Sequence, residues 1–185
     1  MTLVSQASGE SAHQISKVVA PLARAAALLL AAASHAEEGA DLAVCEGMLG
    51  SPAEIVQSCG IAIESGALTE AQLARALNNR CAAQVALGRH DQAIADCDRA
   101  LALDASLSAA LVNRGNARDY QGAHDRAIAD YDQAIALRPA FAEAWYNRAS
   151  AYANKRDYAR AIADYGEALR LKPDFDRALY DRARA

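Results

Sequence analysis

The 185-residue sequence predicts an all-α solenoid, built from helix–turn–helix pairs stacked side by side. Three observations carry that expectation. Segments 74–107, 108–141 and 142–175 align without a gap at a 34-residue period, and the tetrapeptide Ala-Ile-Ala-Asp returns at 93–96, 127–130 and 161–164. Within each segment the apolar residues follow helical spacing twice, with a break between the two runs. The third observation is compositional: hydrophobic residues reach 53% but aromatics only 5%, and alanine supplies much of the remainder. Close-packed helices suit that mixture better than a β-sandwich does.

Residues 1–36 stand apart from the repeats. Lys17 and Arg24 precede the uncharged run Ala25–Ser34, and the small residues Ser34 and Ala36 come just before Glu37 and Glu38. This order fits a signal peptide cleaved after Ala36, and the apolar run is too short to span a bilayer, which needs about 20 residues. The expected location is therefore periplasmic or secreted. The alternative is an alanine-rich helix capping the array in a cytoplasmic protein.

Residues 37–73 read as a degenerate cap or partial repeat. Residues 52–64 match a second helix, with Cys59 in the place of Cys97, and residues 41–49 match a shortened first helix. In an oxidising compartment Cys45 and Cys59 can form a disulfide. Cys81 and Cys97 fall at repeat positions held elsewhere by Gly115 and Ala149, and by Tyr131 and Tyr165, and are expected to be small buried hydrophobes, the alternative being a second disulfide. With no CxxC pair and no histidine at ligand spacing, no metal site is expected.

In the first full repeat, 74–107, Gly88 marks the turn; in the second, 108–141, Gly122 does so and Pro139 closes the unit. In the third, 142–175, Trp145, Ala149 and Tyr152 share one helix face. Ala161, Tyr165 and Ala168 share another, and Pro173 ends the unit. Asp157 is placed to cap the second helix of this repeat, whereas Asp91 and Asp125 fall in the first turn of theirs. Residues 176–185 reproduce only a first helix, whose charges suit a solvated C-terminal cap.

The period and the series Trp145, Ala149, Tyr152, Ala161, Tyr165, Ala168 and Pro173 resemble the tetratricopeptide repeat. Leu77 and Leu111 depart from the pattern at the tryptophan, Gln84 and Arg118 at the tyrosine, Arg156 at the turn glycine and Ala105 at the proline. The resemblance implies a right-handed solenoid whose first helices line a concave surface that binds another protein. It also implies a second possibility, a carboxylate clamp of lysine, asparagine and arginine, but Asn78, Ala82, Ala109, Asn113 and Asn147 occupy the matching positions without the required cations.

One arginine recurs in each unit, as Arg80, Arg114, Arg148 and Arg182. A half-buried arginine needs a partner, and Asp96, Asp130 and Asp164 recur at the same period. Because the truncated last unit keeps its arginine, the expected pairs cross between repeats: Arg114 with Asp96, Arg148 with Asp130, and Arg182 with Asp164.

No phosphate loop, nucleophile motif or acid–base pair emerges; Asp96 and Asp98 are two apart on a helix and do not face each other. Neither enzyme activity nor a cofactor is expected. The net charge of −4 offers no basic stripe, so nucleic acid is not an expected partner. The expected partner is an extended segment of another protein. Asn79, Asn113 and Asn147 would grip its backbone as a ladder, flanked by Val112, Asn116, Tyr120, Tyr146, Ser150, Asn154 and Tyr180. The simpler alternative is that these asparagines bond only to the protein itself or to solvent.

Overall fold

The computed structural model describes residues 41–185, Met48 excepted; the signal peptide expected over residues 1–36 lies outside them. Residues 41–47 are helical (α1), and eight helices follow. They are α2 (Pro52–Glu64), α3 (Glu70–Ala86), α4 (His90–Leu103), α5 (Ser108–Tyr120), α6 (His124–Leu137), α7 (Ala142–Asn154), α8 (Tyr158–Leu171) and α9 (Asp176–Arg184). No strand occurs among the described residues.

Local chemistry sets the boundaries. Ser51 and Glu54 form a capping box that starts α2, and Thr69 with Gln72 forms another that starts α3. The second box places the start of α3 four residues before the repeat boundary at 74. Asp157 caps α8 by accepting from the Arg160 amide. The helices α4 and α6 lack a side-chain cap and carry Asp91 and Asp125 in their first turns instead. Gly88 and Gly122 turn the chain with φ of +71° and +78°. Arg156 does the same job at +62°, a conformation that costs a residue with a Cβ about 1 kcal/mol or more.

Each pair α3/α4, α5/α6 and α7/α8 forms a tight hairpin, and each second helix also packs on the first helix of the next unit. The first helices touch one another as well, α3 on α5 and α5 on α7, which makes them the inner row of the stack. Small buried residues permit this closeness. Ala76, Ala110, Ala144 and Ala178 are wholly buried on the first helices, as are Ala93, Ala127 and Ala161 on the second.

Within a hairpin, residues 16 apart face each other. Cys81 is bonded to Cys97 by this rule, so the expectation of two separate buried thiols is corrected. The same spacing sets Gly115 against Tyr131, where a Cβ on residue 115 would lie 2.5 Å from the ring. Cys45 is bonded to Cys59, joining α1 to α2. All four cysteines are fully buried.

The expected ion pairs also need correction. Arg80 holds Asp96 of its own repeat through two bonds of 2.7 Å, Arg114 holds Asp130, and Arg148 holds Asp164. The link between repeats comes from the aspartate two residues further on: Arg114 Nη1 reaches Asp98 and Arg148 Nη1 reaches Asp132, both at 2.6 Å. Arg114 and Arg148 thus each have a carboxylate 16 residues ahead and another 16 residues behind. Burial disfavours the charged Arg114, yet its two aspartates outweigh that and raise its pKa; for Arg148 the Asp164 bond dominates, with the same result. Arg182 is exposed and makes no ion pair among the described residues.

Candidate protein-interaction surface

Where the inner helices meet, their amides and hydroxyls bond across the row. Asn79 Nδ2 donates to the Cys45 carbonyl at 2.9 Å, and its own oxygen accepts from Asn78. Asn113 Nδ2 donates to Asn78 Oδ1 at 3.0 Å. Two rungs of the expected ladder are therefore engaged within the protein. Val112, expected beside them, is buried in the core with Tyr131 and Ala144. Its position one step off the packed face in a flat projection is carried inward by the neighbouring helix.

The remaining residues gather further along the row. Asn116, Tyr120, Tyr146, Asn147, Ser150 and Asn154 line a hollow of about 330 Å³ on α5 and α7, with Arg177 of α9 at one side. Asn147, one of the lining residues, makes no hydrogen bond among the described residues. Tyr120 is 71% exposed and stacks on His90, with ring centroids 5.3 Å apart. Tyr180 stands apart, lining a smaller recess with Asp176, Arg177 and Asp181.

The polar walls are held in place by fixed bonds. Asn154 donates to Asp119 Oδ2, whose other oxygen lies 2.6 Å from His124 Nδ1. Tyr131 donates to Asn116 Oδ1 at 2.8 Å, and Tyr146 donates to Asp181 Oδ2 at 2.7 Å. Burial, assisted by that bond, pushes the Tyr146 phenol up to about 12, and burial raises Tyr131 as well. Both phenols stay protonated near neutral pH and act as donors. Rigid walls of this kind lower the ordering cost of binding.

Sequence reasoning missed Asp119 and Arg177 as parts of the hollow. Contacts between inner helices run at 35 residues, as in Asn78–Asn113, Asp119–Asn154 and Tyr146–Asp181. A search at the 34-residue period looks one residue away from them. Among the described residues no cluster could hold a metal ion, and no helix is long and apolar enough to cross a membrane.

A tetratricopeptide repeat model matches residues 74–107 and 142–175, and a second TPR model matches 115–156, together more than half of the sequence. The chain belongs to the tetratricopeptide repeat family. Solved TPR structures share the fold. One is YrrB, described as a TPR protein with an unusual peptide-binding site, at 22% identity and a TM-score of 0.66 over 92% of this chain and 88% of that one. Another is MamA, at 25% identity and a TM-score of 0.57 over 68% and 71%. The first TPR of Spaghetti (RPAP3), bound to an HSP90 peptide, is similar at 23% identity and a TM-score of 0.60 over 62% and 90%. No curated protein matches the sequence.

Proposed function

We propose that this TPR protein is a non-enzymatic interaction module that holds an extended segment of a partner protein against α5, α7 and α9. The observation that carries the reading is Asn147, without a hydrogen bond among the described residues and lining a polar hollow in which Asn116, Tyr146 and Asn154 are held by bonds of their own. An amide offers a donor and an acceptor together, so it can satisfy a backbone peptide group whatever side chain follows. Tyr120 and Tyr146 add apolar area with a polar tip. Peptide complexes of TPR relatives, Spaghetti with an HSP90 peptide and the second TPR domain of human RPAP3 with an HSP70 peptide, support a peptide-binding role for the fold. A carboxylate clamp of the kind considered from the sequence has no support here, because Asn78 and Asn113 bond each other and Ala82 and Ala109 carry no charge.

The proposed location is the periplasm or the cell exterior, after cleavage at Ala36. Two buried disulfides support an oxidising compartment, and a mature N-terminus at Glu37 in protein from the native host is the expected finding. For the groove, unstructured 12-residue peptides selected on the wild-type protein by phage display serve as probes. Asn147→Ala should weaken their binding by about 1–3 kcal/mol while leaving the melting temperature in place. Unchanged affinity in every selected peptide overturns the assignment.

A further inference from the structure

The hollow on α5 and α7 has a charge preference as well as a shape. Asp119 is the carboxylate of its wall, and Asp181 stands behind the Tyr146 hydroxyl that donates to it. Among the described residues that line the hollow, Arg177 is the one cation. Two carboxylates thus stand around the space against a single positive charge. The bonds that hold Asp119 leave its charge in place. A neutral His124 donates to Oδ1 through Nδ1 at 2.6 Å, and the uncharged Asn154 amide donates to Oδ2 at 3.1 Å. The wall registers that charge: burial raises the Tyr131 phenol and Asp119 adds to the rise, and burial raises Tyr165, with Asp181 and Asp119 adding to it.

Three tyrosines, Tyr120, Tyr131 and Tyr146, line the same hollow. The face of such a ring attracts a cation held within about 6 Å of its centre. Tyr146 already shows the effect, with the Arg177 guanidinium carbon 5.9 Å from its ring centre. Tyr120 gives one ring face to His90 and is still 71% exposed, so it has surface left for a ligand. The volume of about 330 Å³ falls within the range of about 300–1,000 Å³ that ligand pockets span. Resting on the reading of this hollow as the seat of a partner segment, we propose that the segment carries a lysine or arginine, whose cation sits against Asp119 and Tyr120 beside the peptide group held by Asn147. An acidic residue there would meet Asp119 and Asp181 instead. The preference is therefore opposite to that of the carboxylate clamp weighed from the sequence, and the net charge of −4 extends the attraction beyond the hollow.

The probes are the labelled peptides selected on the wild-type 185-residue protein, titrated by fluorescence anisotropy. Those that depend on Asn147 should share a lysine or arginine at one position, and norleucine in its place should weaken binding by about tenfold or more. Asp119→Asn, which keeps an acceptor for Asn154, should weaken the parent peptide by a similar factor. The two changes together should cost little more than either alone. Tyr120 is largely exposed, so Tyr120→Leu should melt like the wild type and still weaken the parent peptide about threefold, while Tyr120→Phe binds nearly as well as the wild type. Asn147-dependent peptides with no shared cation, or a cation indifferent to both Asp119→Asn and Tyr120→Leu, overturn this inference and leave the groove standing. A selection that yields no Asn147-dependent peptide overturns both. Two further outcomes would overturn the assignment to a partner. Binding gained on Lys17→Gln with Arg24→Gln makes the chain's own N-terminal segment the occupant, and an Asp119-dependent dimer in sedimentation makes it a second copy.

Discussion

The hairpin α3/α4 and the hairpins α5/α6 and α7/α8 meet at equivalent points with different chemistry. In the first, Cys81 and Cys97 make a covalent bond. In the second, the Tyr131 ring lies over Gly115, and in the third, buried Tyr165 occupies the same place opposite Ala149. The α1/α2 hairpin is joined by Cys45 and Cys59. The N-terminal half of the array is thus held by bonds that depend on redox conditions, and the C-terminal half by packing and charge alone. The difference teaches that the repeat constrains the geometry of the junction more tightly than the chemistry used to fill it.

The largest expected effect sharpens the contrast within the ion pairs. Asp164 has Arg148 as its ion-pair partner, whereas Asp130 is also held by Arg118 at 2.7 Å and Asp96 has Arg99 at 4.0 Å. Arg148→Ala should cost about 3–5 kcal/mol in chemical denaturation, because it strands a buried carboxylate. Arg114→Ala should cost clearly less; equal losses would show that the second arginine contributes nothing.

Removing the staple tests the other half. Replacing Cys81 and Cys97 together by alanine should destabilise by about 3 kcal/mol, the loop-closure value for a ring of about 15 residues. A reductant should destabilise the wild type by more than this, because it opens both bonds, and leave the double variant's response limited to the Cys45–Cys59 bond. No response to reductant would break the contrast altogether. Next in size, Gly115→Ala should cost about 1–3 kcal/mol, since the new methyl meets the Tyr131 ring and the buried ring has little room to move.

The smallest effect concerns the turns. Gly88 and Gly122 adopt positive φ without strain, and Arg156 does so with a Cβ. Arg156→Gly should stabilise by about 1 kcal/mol in thermal unfolding. A loss instead would mean that the arginine side chain contributes contacts outweighing the backbone strain.

The helices were legible in the sequence because period and apolar spacing agree, and the departures are local: the Thr69 cap starts α3 ahead of the repeat boundary, and Arg156 replaces glycine at the third turn. Contacts between helices were less so. The truncated last unit points to Arg114 pairing with Asp96, 18 residues away, whereas the contacts both within a hairpin and between neighbouring hairpins bring together residues 16 apart. Asn113 reads as a free rung because its contact is offset by one residue from the repeat, onto Asn78, and Asn79 does so because its partner is a backbone carbonyl, that of Cys45, which no side-chain pattern marks. The Cys81–Cys97 bond obeys the same 16-residue rule as Arg80–Asp96 one residue earlier. That rule was present in the sequence but needed the angle of the hairpin to be recognised.

The two disulfides have a consequence for how the chain matures. Four cysteines allow three connectivities, and this protein uses the one that joins each cysteine to its nearest partner in sequence, at separations of 14 and 16 residues. A polypeptide threading into an oxidant amino end first presents Cys45 and Cys59 before Cys81, and Cys81 before Cys97. Order of emergence and native pairing coincide, so in an oxidising compartment each bond can form as its second thiol arrives.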